Sequence, residues 1–302
     1  GFDGVVVSDW EDIFRLHTRH RVAESPRAAV VMGVNAGIDM RMVPSDYSFY
    51  GLLLEAVKKG EVSTARINEA VKRILILKMR LGLFDNPYPE PEAIANFGKS
   101  EYEEVALQAA HEAITLLKNK DLILPLTKDK KILLAGPCAQ SVSALHGAWS
   151  YTWQGNDERY YPTKTKTIAQ ALVEKGGDQV IIAGSKGWNH KDNFDGERLK
   201  ALALIHQVDA IILCLGEDAY AETPGNTREL DLPSDQKMLA EAAIATGKPV
   251  ILVLVEGRPR FITDIEPKMH GVIMAYRTGS KAAEGLADIL YGCLLYTSDA
   301  AD

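Results

Sequence analysis

Three cysteines in 302 residues are few, and none is placed for an obvious cross-link. Cys138 and Cys214 lie near the ends of apolar stretches, where a small buried thiol is the expected role rather than a disulfide partner or a metal ligand. No apolar run comes near the ~20 residues that a membrane-spanning helix needs. Basic charge is also short: 34 Lys and Arg stand against 41 Asp and Glu, for a net charge of −7, and no basic stripe offers a nucleic-acid footprint. Both glycine-rich phosphate signatures, GxGxxG and GxxxxGK[ST], are missing, and Leu134-Ala-Gly136-Pro alone does not support a nucleotide site. His17 and His20, three apart beside Arg15, Arg19 and Arg21, lack a carboxylate at ligand spacing, so a solvated loop is expected there and no metal.

What remains is the composition of an ordinary globular protein, 46% hydrophobic and 25% charged, with length for about two domains. Residues 1 to about 85 read as strand, loop, strand, helix, helix. The first strand, Phe2 to Val7, has little polar interruption and is expected to be buried on both faces. It delivers Asp9 and then Trp10. An acid at the C-terminal end of such a strand is placed for chemistry, although a Ser-Asp pair taken alone reads first as a cap on the next helix. A second strand is expected near Gly33 to Met42. The clearest helix starts after Ser63, a plausible N-cap, carries Ile67, Val71, Ile74 and Leu75 on one face, and ends before Gly82.

The three prolines of Phe84-Asp-Asn-Pro-Tyr-Pro-Glu-Pro91 stiffen an extended connector, so residues 86–100 are expected to link a domain at 1–85 to another at 101–292. From Glu101 a helix is expected with Val105, Ala109, Ala113, Leu116 and Leu117 on one face. Strands then fall at Lys131–Gly136, Gln179–Ala183, Val208–Gly216, Pro249–Val255 and Gly271–Ala275. Between them lie helical stretches around 166–175, 197–206, 234–246 and 280–291. This alternation predicts an α/β fold with an open parallel sheet wrapped by helices, and its sites belong at the carboxyl ends of the strands.

Two segments could carry chemistry. The strand ending at Gly216 opens into Glu217-Asp-Ala-Tyr-Ala-Glu222-Thr-Pro-Gly-Asn-Thr-Arg228-Glu229, an acidic loop that could hold a mobile catalytic group. Taken alone it reads as a solvated loop. Paired with Asp9 it acquires meaning, because glycoside hydrolysis uses two carboxyls flanking the scissile bond. The second segment, Gly147-Ala-Trp149-Ser-Tyr151-Thr-Trp153-Gln-Gly155, holds two of the four tryptophans. Such rings suit the C–H faces of sugars, or could simply fill a seam between domains.

The motifs GFDGVVVSDW, AGIDMRMVP, INEAVKRILILKMRLGLFDNPYPEP and GEDAYAETPGNTRELDLP, in that order, resemble family 3 of the glycoside hydrolases, exo-acting β-glucosidases and β-glucan exohydrolases. The resemblance covers residues 1–292. It implies the C-terminal part of a (β/α)₈ barrel, entered at the seventh strand, followed by an α/β sandwich domain with a mostly parallel sheet, and an active site between the two. It places the nucleophile on Asp9 and the acid/base on Glu222. Trp10 and Trp153 would clamp the sugar beyond the cleavage point, with Trp149 in support, and Arg15 is the candidate positive neighbour of Asp9. The implied reaction is retaining hydrolysis of β-glucosides or β-glucan oligosaccharides, with no cofactor, the two carboxyls approaching to ~5–5.5 Å over bound substrate.

Other readings stay open: a family 3 enzyme acting on β-xylosides, or a non-catalytic carbohydrate-binding relative. A periplasmic or secreted location is what the resemblance suggests. Because the first motif starts at residue 1 and the residues that grip the non-reducing sugar come from earlier barrel strands, the chain is expected to be a piece of a longer protein, insoluble or inactive alone. The decapeptide from Cys293 to Asp302 resembles a translated library adapter and is left out of the fold.

Overall fold

The computed structural model describes residues 2–43 and 46–293, and the chain divides between Phe97 and Gly98 into two compact units. Residues 294–302, most of the adapter-like decapeptide, lie outside the described residues.

The first unit runs β1 (Val7–Trp10), α1 (Asp12–Thr18), α2 (Pro26–Asn35), β2 (Met40–Met42), α3 (Ser48–Lys58) and α4 (Thr64–Arg80). Its core is Ile13, Ala23, Ala29, Val30, Val34, Ala56 and Val62. Ser25 caps α2 by accepting from the Ala28 amide at 3.1 Å, with Pro26 at the first helical position, where its missing N–H costs nothing. Ser63 caps α4 in the same way, accepting from the Arg66 amide, and Gly82 follows the helix at φ +69°, both as the sequence leads one to expect. α4 in turn brings Arg66 and Arg73 to within 2.8 and 3.5 Å of Asp39, whose side chain is fully buried. Burial works against the charged form of Asp39, but the Val6 amide and the two guanidiniums outweigh it and hold the carboxyl below its ordinary range.

Three sequence expectations for this unit fail. The strand is not Phe2–Val7 but Val7–Trp10, and it is not buried on both faces: Phe2 is 70% and Val7 51% exposed. Among the described residues it pairs only with β2, in parallel, and of its four residues only Ser8 is buried. Gly33 to Asn35 belong to α2, and only Met40–Met42 is strand. The arginine- and histidine-rich stretch starts as helix α1 rather than a loop, with His17 Nδ1 hydrogen-bonded to the Ala23 carbonyl at 2.9 Å.

The second unit contains α5 (Ser100–Ala113), β3 (Thr115–Asn119), β4 (Ile132–Ala135), α6 (Ser143–His146), α7 (Ile168–Gly176), β5 (Val180–Ile182), α8 (Gly196–Ile205), β6 (Ala210–Gly216), α9 (Ser234–Ala245), β7 (Val250–Val255), β8 (Gly271–Met274) and α10 (Ala282–Leu290). Six strands form one sheet in the order β3-β8-β7-β6-β4-β5. Five are parallel and β3 is antiparallel on the edge, so the sheet is mixed rather than purely parallel. Alternate residues face opposite cores: Ile212 and Cys214 of β6 pack with α7 and α10, while Ile211, Leu213 and Leu215 pack with α8 and α9. Helices on both faces explain why the central strands read as unbroken apolar runs.

α5 differs from its sequence reading. It stops at Ala113, and Leu116 and Leu117 belong to β3. The buried side of the helix carries Ala110 and His111, with Val105 65% exposed. α10 decides this, because His111 Nε2 meets Asp288 Oδ2 at 2.9 Å and a methyl group on Gly285 would touch Ala110.

The strand order also positions the loops. After β4 the chain adds β5 on one side, then returns to place β6 on the other. The ends of β4 and β6 are therefore neighbours, Ala135 opposite Leu213, while the connections leaving them diverge. In doubly wound α/β sheets this switch point opens a crevice at the carboxyl ends of the strands.

Candidate active site

Asp9 and Trp10 belong to the first unit, where Asp9 is the third residue of β1. The buried Ser8 hydroxyl donates to the Asp9 carbonyl at 2.9 Å and accepts from the Met42 amide at 3.0 Å, tying this point of β1 to β2. The Asp9 carboxylate is exposed, and its Oδ1 accepts from the Trp10 amide at 2.6 Å. Trp10 is 49% exposed. Arg15 pairs with Asp12 at 3.1 Å, and among the described residues no ion pair joins it to Asp9.

The other candidates lie in the second unit, on the two loops that leave the switch point. The loop after β4 carries the aromatics. Trp149 and Tyr151 hold left-handed φ values of +58° and +61°, and the Trp149 amide donates to the Trp153 carbonyl at 3.0 Å, closing a tight turn. Gly155 has φ +73°, and a Cβ there would stand 1.9 Å from the Gly147 carbonyl oxygen, so only glycine lets the two ends of the turn meet. The Tyr161 hydroxyl donates to the Gly155 carbonyl at 2.6 Å, and burial pushes the Tyr161 phenol up to about 12. The outcome is a pinned loop that exposes Trp149 and Trp153.

The loop after β6 is anchored at almost every residue from Gly216 to Glu222. Gln236, itself buried, uses both ends of its amide on Gly216, accepting from the backbone N–H and donating to the C=O at 2.9 Å each. Glu217 is 6% exposed and meets Arg258 Nε at 2.9 Å, Arg260 Nε at 3.0 Å and the Tyr220 hydroxyl at 3.0 Å. Burial alone would raise its carboxyl; the guanidiniums of Arg260 and Arg258 and the phenol reverse that and hold it below its ordinary value. Arg258 and Arg277 lie over the Tyr220 ring at 4.3 and 5.0 Å, and Arg277 donates to the Asp218 carbonyl at 2.6 Å.

Asp218 accepts from the Ser143 hydroxyl at 3.1 Å, and burial raises its carboxyl. The Ser143 backbone amide donates to Glu158 Oε1 at 3.1 Å, so this residue connects the two loops. Beneath them Glu256, 1% exposed, is raised by burial to about 7. An open cavity of about 320 Å³ lies against Trp188, Tyr220, Asn226 and Arg258. Glu222 does not line it.

The two loops meet at Glu222. Trp153 Nε1 donates to Glu222 Oε1 at 3.3 Å, and the Gln154 amide binds both backbone groups of Ala221. Glu222 holds φ +52°, ψ −137°, a region almost reserved for glycine. A side chain there costs about 1–3 kcal/mol and persists only where its surroundings over-determine it. The segment is thus no free loop: Ala219, Ala221 and Gly225 are buried, and the exposed residues fall in two runs, Glu222–Pro224 and Asn226–Asp231.

The sequence reading missed Gln154, Gln236, Arg258, Arg260 and Arg277. The last three follow β7 and β8, so their place at carboxyl ends of parallel strands was the available signal. The glutamines carried none, because their partners are backbone groups.

The chain matches the model of the glycosyl hydrolase family 3 C-terminal domain over residues 114–294 and that of the family 3 N-terminal domain over residues 1–77. It is 39% identical over 300 residues to a lysosomal beta glucosidase of Dictyostelium discoideum, covering 96% of this chain and 36% of that protein. It is 33% identical over 302 residues to a beta-xylosidase of Formosa agariphila, covering 97% of this chain and 41% of the other. Among solved structures, the beta-glucosidase of Listeria innocua in complex with isofagomine superposes with a TM-score of 0.84 at 29% identity, covering 97% of this chain and 39% of that one. The chain therefore spans roughly two fifths of the length of these relatives.

Proposed function

From the premise that this chain belongs to glycosyl hydrolase family 3, we propose that it carries both reacting carboxylates of a retaining β-glycosidase, acting by preference on β-glucosides. On this reading the first unit is the closing part of a (β/α)₈ barrel and the second an α/β sandwich, with residues 86–100 as the linker.

Asp9, ionised, attacks the anomeric carbon as Glu222, protonated, gives its proton to the departing glycosidic oxygen. Glu222, now a carboxylate, takes a proton from water, and that water displaces Asp9 from the sugar. Two inversions give net retention, and each carboxyl ends as it began. Trp10 and Trp153 offer exposed aromatic faces to the leaving sugar, and Trp149 supports the wall.

One observation carries the reading: Glu222 sits in a strained backbone conformation with a tryptophan N–H on its carboxylate, where the two switch-point loops meet. The test is trapping with a 2-fluoro-β-glucoside on the full-length gene product. The expected result is a covalent adduct on Asp9. A protein that binds the sugar but takes no label on Asp9 is a carbohydrate-binding relative instead. The likeness to a beta-xylosidase favours one second reading, which a higher kcat/KM on aryl β-xylosides than on aryl β-glucosides would establish.

A further inference from the structure

We propose that Gln154 is the positioning residue that aims Glu222. The inference rests on the reading of Glu222 as acid/base. Gln154 Oε1 accepts from the Ala221 amide at 3.0 Å, and Gln154 Nε2 donates to the Ala221 carbonyl at 3.2 Å. The side-chain amide thus stands in for a neighbouring strand and grips one backbone residue at two points. That residue immediately precedes Glu222.

The consequence follows from peptide planarity. The Ala221 carbonyl and the Glu222 N–H share one rigid plane, so fixing the carbonyl fixes the plane from which the φ of Glu222 departs. That φ is +52°, a conformation the chain would leave without restraint. The same short segment supplies the indole of Trp153 to Oε1 of Glu222. Gly155, next in sequence, accepts from the Tyr161 hydroxyl at 2.6 Å, so hydrogen-bond donor and backbone clamp sit on one pinned segment. Gln236 grips Gly216 in the same two-point manner, which leaves the segment 216–222 held at both ends by glutamines.

A positioning role has a signature that a general loss of structure lacks. kcat/KM covers steps up to the covalent intermediate, where an alkyl β-glucoside needs a proton and a 2,4-dinitrophenyl β-glucoside does not. In the full-length gene product, Gln154→Met keeps the side chain's bulk and removes both hydrogen bonds. We expect kcat/KM on the alkyl glucoside to fall about 10- to 100-fold, with the dinitrophenyl value within about 3-fold of wild type. Gln154→Glu keeps the acceptor for the Ala221 amide but sets a carboxylate oxygen against the Ala221 carbonyl; it is expected to show the same selective loss on the alkyl glucoside. An equal loss on both substrates overturns the proposal, as does no loss on either. If Gln154→Met does not fold, Gln154→Glu is judged by the same criterion. Glu222→Ala, measured alongside, separates the two levels: indifference to leaving group in that variant removes Glu222 as acid, whereas dependence in Glu222→Ala with none in the Gln154 variants removes only the clamp.

Discussion

The indole N–H of Trp153 reaches Oε1 of Glu222 at 3.3 Å although the residues are 69 positions apart, because their loops leave neighbouring strands at the switch point of the sheet. Replacing Trp153 by Phe keeps an aromatic face and removes that donor. Loss of one such hydrogen bond is worth about 1 kcal/mol, so kcat/KM on an alkyl β-glucoside should fall roughly 5- to 10-fold. Wild-type kinetics in Trp153→Phe would leave the hydrogen bond without a role.

The backbone of Glu222 makes an inverted stability order. Glycine in place of alanine ordinarily destabilises by about 0.5–1 kcal/mol, but at φ +52° an alanine keeps the strain and a glycine relieves it. Glu222→Gly should therefore unfold at higher denaturant than Glu222→Ala, with both inactive on alkyl glucosides. The usual order, alanine above glycine, would contradict the strain.

Glu256 sets a pH dependence of stability. Its folded carboxyl is raised from 4.5 to about 7 by burial, so between pH 4.5 and 7 the unfolded chain releases this proton while the folded chain keeps it. Stability should decline as pH rises through that window, by ~3 kcal/mol at most, and level off above it. Glu256→Gln should flatten this slope, as read from urea midpoints at pH 5 and pH 8. An unchanged slope in the variant would assign the pH dependence to other groups.

Glu217 acts with the opposite sign. Its carboxyl is held below 4.5 in the folded state, so its contribution is complete above that value and is lost as pH falls through the depressed one. Glu217→Gln leaves Arg258 and Arg260 without their shared partner, and breaking such a buried pair costs about 3–5 kcal/mol. Thermal unfolding at pH 7 should show that loss, with a smaller difference between variant and wild type in acid. A constant difference at every pH would show that packing, not charge, is what the substitution disturbs.

Much of the second unit was legible because its central strands are covered on both faces. Ala210–Gly216 and Val250–Val255 are buried at every residue, and their apolar runs and the Gly that closes β6 mark them without reference to neighbours. The Ser63 cap was equally plain, since capping is a local hydrogen bond. Phe2–Val7 misled for the converse reason: an apolar run implies burial only where something covers it, and β1 pairs with β2 alone among the described residues. α5 misled because its small residues mark no single face. Val105 and Ala109 compete with Ala110 and His111 for the buried side, and only the partner helix, through Gly285 and Asp288 of α10, separates them.

The order of residues alone determined the alternation of strands and helices, the family resemblance, and the candidate carboxylates and tryptophans, since each depends on chemistry carried within a few neighbouring positions. Tertiary structure decided which strands stand side by side. That placed β4 beside β6, brought Trp153 to Glu222, closed Gln154 on Ala221 and Gln236 on Gly216, and gathered Arg258 and Arg260 on Glu217. Contacts between side chains and distant backbone leave no periodic trace in a sequence, because any polar residue of the right length can make them once the fold has supplied the partner.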